Sequence, residues 1–104
     1  MPRYILIDNN SGYIFGDSAD FAAGNQPDLT PIEAARRLDE SIGEHGREYR
    51  ELSSAPHDTR TGYAVYRADI NGSEAVHLIQ DGQDQELIEA VNRDCEFVAF
   101  IEVV

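Results

Sequence analysis

Lysine is absent from this chain of 104 residues, and cysteine occurs once. Without lysine there is no Schiff-base chemistry, and the side chain most often set against phosphate is missing. Cys95 alone cannot close an internal disulfide. No apolar run approaches the roughly 20 residues that a membrane-spanning helix needs. The early stretch Tyr4-Ile5-Leu6-Ile7 stops at Asp8, too soon for the apolar segment of a secretory signal, so a cytoplasmic location is expected. Gly-x-Gly-x-x-Gly, Gly-Lys-Ser/Thr and Gly-x-Ser-x-Gly motifs are all missing, which removes the usual supports for nucleotide handling and serine hydrolysis.

What the chain has in excess is negative charge. Twenty Asp and Glu face eight basic residues, all arginine, for a formal net charge of −12 and a pI near 4.3. A small domain needs a net charge of only about 2 to 8 for solubility. The excess repels nucleic acid and anionic membrane, and it favours basic surfaces as partners.

Periodicity divides residues 1–104, read as a single domain, into strands and helices. Arg3 to Asp8 reads as a strand, Asn9-Asn10-Ser11-Gly12 as a turn, and Tyr13-Ile14-Phe15 as the returning arm of a hairpin. Gly16 to Leu29 is polar and loop-like. Thr30-Pro31-Ile32-Glu33 carries an N-cap, a proline at the first helical position and a Glu three residues on, which predicts a helix start. Ile32, Ala35, Leu38 and Ile42 then form one face, Glu33 and Arg37 an i,i+4 pair, and Gly43 the stop.

Further on, Glu48 to Ser53 reads as a short strand. Tyr63 to Ile70 is a strand, Asn71-Gly72 a hairpin turn, and Glu74 to Ile79 its return. Leu87, Ile88 and Val91 give a second helix ending near Arg93. Phe97 to Ile101 is apolar at every position, which predicts burial on both faces. The order β-β-α-β-β-β-α-β implies an α+β two-layer sandwich, a mostly antiparallel sheet with both helices on one face.

Few residues suggest chemistry. His45, His57 and His77 stand too far apart, with one cysteine, to suggest zinc, and the Asp81 to Glu86 stretch lacks the ligand spacing of an EF-hand. No metal or cofactor is expected. Ser53, Ser54, His57 and Asp58 hold the groups of a nucleophile, base and orienter, but such triads are assembled from residues distant in sequence, so a polar surface loop is the simpler reading. Cys95 follows Asp94, and acidic neighbours raise a thiol pKa, which argues for packing rather than reactivity.

Acids concentrate late in the chain. From residue 68 to the end, Arg93 alone offsets nine of them, and Asp69, Glu74, Asp81, Asp84, Glu86, Glu89, Asp94 and Glu96 form the expected partner-binding set. The macrodipole explains acids in a first helical turn, but not Asp69, Glu74, Asp94 or Glu96. In size, acidity and lack of motifs the chain is similar to the broad class of inhibitors that mimic DNA, anti-restriction and anti-CRISPR proteins among them. That resemblance implies a non-enzymatic protein whose acidic face docks on a basic, nucleic-acid-binding protein surface. Two other readings stand beside it: an enzyme or ligand-binding domain using the Ser53–Arg60 loop with Tyr49, Tyr63 or Tyr66, and a structural subunit or homodimer pairing through a sheet edge.

Overall fold

The computed structural model describes residues 2–15, 30–69, 82–83 and 85–104. In chain order these form β1 (Pro2–Asp8), β2 (Ile14–Phe15), α1 (Pro31–Ser41), β3 (Tyr49–Leu52), β4 (Gly62–Asp69), α2 (Gln85–Asp94) and β5 (Glu96–Val103). The strands make one antiparallel sheet in the order β2-β1-β4-β5-β3. This is the α+β class and the element order read from the sequence, save for the expected strand Glu74 to Ile79, which lies outside the described residues. Over Tyr63–Arg67 both edges of β4 are already taken, one by β1 and the other by β5.

The local signals act as their chemistry predicts. At the β1–β2 turn, the Asp8 carboxylate accepts from the amides of Asn10 and Ser11 at 2.8 and 2.9 Å, and Gly12 takes the left-handed φ of 73° that completes the reversal. At the start of α1, the Glu33 amide donates to Thr30 Oγ1 at 3.2 Å, and the same hydroxyl donates to Glu33 Oε1 at 3.0 Å. Glu33 thus turns back to its cap, and no ion pair joins it to Arg37 among the described residues. Gly43, at φ 89°, ends the helix.

The helices do not share a face, contrary to the arrangement that the element order implies. Tyr4 and Leu6 of β1 pack with Ala34, Ala35 and Leu38 of α1, whereas Ile5 and Ile7 pack with Ala90 and Val91 of α2. Successive side chains of a strand point to opposite faces, so four consecutive apolar residues in β1 need a cover on each side. On β4, Tyr63 and Val65 face α1, and Ala64 and Tyr66 face α2.

β3 and β4 run parallel on either side of β5, so the chain between them must cross β5. It crosses on α2's side, where Ser53, Ser54 and Ala55 meet Tyr66, Cys95 and Phe97. Beneath the sheet surface on that side lies Phe100, fully buried. Ile42, expected on the apolar face of α1, is instead 51% exposed at the helix cap, and Asp39 occupies the buried position.

Candidate functional site

The amphipathic pattern of α2 sets its orientation. Ala90 and Val91 are buried, and Leu87 and Ile88 are half-buried on the sheet, leaving Glu86, Glu89 and Arg93 on the exposed side at helical spacing. The Arg93 guanidinium bonds Asp94 at 3.0 and 3.1 Å. That bond, with Glu89 one turn back, holds the arginine more firmly in its charged form. Glu86, Glu89 and Asp94 therefore lie along one helix. Glu96 departs from them: it pairs across the strands with Arg67, next to the Tyr66 and Phe97 pair that faces α2, so by alternation it points to α1's side. Asp69 ends β4 opposite Pro2. Its side chain, with Glu74, Asp81 and Asp84, is outside the described residues.

Four of the described arginines, Arg47, Arg50, Arg60 and Arg93, are held by carboxylates of the same chain. Arg50 meets Glu102 at 2.7 Å, and Arg60 reaches Glu102 at 2.8 Å and grips Asp58 with two bonds of 2.7 Å. The Arg60 hydrogen bonds hold Asp58 down at about 2, and Arg60 and Arg50 lower Glu102 as well. The Arg36 guanidinium lies 5.8 Å from the centre of the Tyr49 ring.

A buried acid on α1 was not singled out by the sequence reading. The carboxylate of Asp39, fully buried, accepts from Tyr49 Oη at 2.6 Å and from Tyr63 Oη at 2.5 Å, with Arg47 at 3.6 Å. Burial, then the bond to Asp39, pushes both tyrosines well above the ordinary phenol range. The spacing held the clue, since Asp39 lies four residues after Ala35 on the apolar stripe. A buried carboxylate needs such partners to offset its desolvation, and here they tie α1 to the edge strand and the middle strand.

Two adjoining recesses lie along the β3–β4 crossing and share Ser53, Ser54 and Ala55. One, of about 570 Å³, is completed by Leu52, Pro56, His57, Asp58 and Arg60, and the other, of about 410 Å³, by Tyr66, Asn92, Cys95 and Phe97. The crossing is fastened from below: the Asn9 side-chain amide donates to the carbonyls of Asp58 and Arg60 at 3.0 and 2.9 Å. Asp58 is turned onto Arg60, not onto His57, and among the described residues no hydrogen bond joins His57 to Ser53 or Ser54. The geometry of a catalytic triad is therefore not assembled here. Burial first, then Asp94, raises the Cys95 thiol, which keeps it protonated and weakly nucleophilic. No group of three His, Cys, Asp or Glu side chains among the described residues is arranged to hold a metal, and no helix among them is long and apolar enough to cross a membrane.

No protein-family model, curated protein or solved structure matches the chain.

Proposed function

We propose that this is a non-enzymatic, acidic interaction protein that docks on a basic surface of another protein, in the sharpest form a surface that otherwise receives nucleic acid. The observation that carries the reading is how charge is distributed around α2. Glu86 and Glu89 face outward, and the sole arginine of that helix is turned onto Asp94. Elsewhere Arg47, Arg50 and Arg60 are held by carboxylates, so they offer little to an anion. A field of one sign steers a basic partner during its approach and excludes phosphate-rich ones.

The alternative of a ligand-binding domain is favoured by one feature, the recess that places His57 beside Ser53 and Ser54. Its single arginine is already closed by Asp58 and Glu102, so it offers no ready anion site.

The test is affinity capture followed by kinetics on the purified partner. Association should slow as salt rises, and the double variant Glu86→Arg/Glu89→Arg should slow it far more than Glu33→Arg/Glu40→Arg. Association that ignores salt, or equal losses in two variants shown to be folded by circular dichroism, would overturn the reading.

A further inference from the structure

We propose that the recess between the β3–β4 crossing and the last turn of α2 is an anchor pocket for an arginine or lysine side chain of a basic partner, an inference that rests on the docking function above. Four features of the recess favour a cation. Its lining contains no basic side chain. It abuts Asn92 and Cys95, where α2 ends; the Cys95 amide takes the Val91 carbonyl at 3.0 Å, and the last carbonyls of the helix, with the macrodipole behind them, present partial negative charge.

The third feature is aromatic. Tyr66 and Phe97 stand edge to face with centroids 5.6 Å apart, both half-buried, and the quadrupole of a ring face attracts a guanidinium or ammonium. Tyr66 is fixed in place because its hydroxyl donates to Asn92 Oδ1 at 2.5 Å. The fourth is the wall opposite, where the hydroxyls of Ser53 and Ser54 can accept from a charged donor.

The recess is also pre-formed. Asn9 and Arg60 fasten the crossing at residues 58 and 60, and the pairing of Leu52 with Phe100 holds its start. Ser53 to Ala55 therefore lie in a loop tied at both ends before any partner arrives, and binding there carries less of the entropy cost of ordering it. Anchor residues of interfaces sit in such pockets, ringed by weaker contacts. In this arrangement Glu86 and Glu89 attract the partner, and the recess receives one of its side chains.

A hexa-arginine peptide, titrated by amide NMR at low salt, tests this. Binding should shift Ser54, Asn92, Cys95 and Phe97, and Ser54→Trp, which fills the recess from an exposed position, should weaken it at least fivefold. Phe97→Ala should act in the same direction. N-acetyl-arginine amide should perturb the same residues at least tenfold more strongly than its neutral isostere N-acetyl-citrulline amide. If hexa-arginine binds and is weakened by Glu86→Arg/Glu89→Arg but not by Ser54→Trp, the pocket is overturned while the acidic face stands. If the citrulline compound binds equally well, the cation preference is wrong. If hexa-arginine fails to bind at all, the docking function falls, and the anchor with it.

Discussion

Tyr63, on the middle strand, donates its hydroxyl to Asp39 of α1 across 2.5 Å, and the two residues are 3% and 0% exposed. Removing the acid strands two phenols and Arg47, so Asp39→Ala should lower stability by about 2 to 4 kcal/mol, and Tyr63→Phe by about 1 to 2 kcal/mol. Chemical denaturation of each variant gives the comparison. A double-mutant cycle between Asp39→Asn and Tyr63→Phe should return a coupling above about 0.5 kcal/mol. Additive losses would mean that the hydroxyl and the carboxylate contribute independently.

The cap at Thr30 is a simpler case. Thr30→Ala should cost about 0.5 to 2 kcal/mol, and Thr30→Ser should restore most of it, because the serine hydroxyl can take the same amide of Glu33. Thermal melts read by far-UV circular dichroism decide the matter. A full loss in the serine variant would point to the threonine methyl instead of the cap.

Gly62 begins β4 against β5. A Cβ there would strike the carbonyl oxygen of Ile101 and come within 2.8 Å of the Phe100 ring. Gly62→Ala should therefore force the strands apart at a cost of about 1 to 3 kcal/mol. Adding Phe100→Leu should recover part of the loss if the ring is the obstacle. No recovery would assign the clash to the backbone.

The Asp58–Arg60–Glu102 cluster sets a pH response. Both carboxyls have depressed folded-state values, so what they contribute to holding the crossing is present above the ordinary carboxyl range, near pH 4, and is lost as pH falls through those depressed values, about 2 for Asp58. Carboxyl-detected NMR titration should place Asp58 at about 2, returning to roughly 3.9 in Arg60→Gln. The amides of residues 53–61 should broaden over that interval in the parent protein. A titration unchanged by Arg60→Gln would exclude the ion pair as the cause.

Much of this fold could be read before any coordinates, wherever a signal was local. The Thr30 cap, the turn at Asn9 to Gly12 and the doubly buried β5 each depend on residues within a few positions of one another. The placement of the helices on opposite faces was legible too, in Tyr4-Ile5-Leu6-Ile7, since the reasoning that buries both faces of β5 applies equally to β1. Asp39 is a harder case. Its spacing places it on the apolar stripe, yet what makes that burial tolerable is Tyr49 and Tyr63, ten and twenty-four residues away, with Arg47 at 3.6 Å. The recess beside α2 draws on Ser53, Tyr66, Asn92 and Phe97, which only the strand order brings together. Of the acids named from sequence, Glu96 is parted from Glu86 and Glu89 by strand alternation, a consequence of where β5 begins.

The pairing of β1 with β4 also bears on how the molecule folds in time. Pro2 is matched with Asp69 and Asp8 with Tyr63, partners separated by 67 and 55 positions in the chain. Contacts this distant need a large loop to close before they contribute anything, which places the protein among slow folders, on the order of milliseconds to seconds. On the ribosome, at roughly 5 to 20 residues per second, β4 emerges about 3 to 12 seconds after β1. Throughout that interval β1 has only the two-residue β2 to pair with and α1 for one of its faces. The face of Ile5 and Ile7 waits for α2, which follows β4, so the nascent chain carries that apolar surface and an unpaired strand edge unprotected.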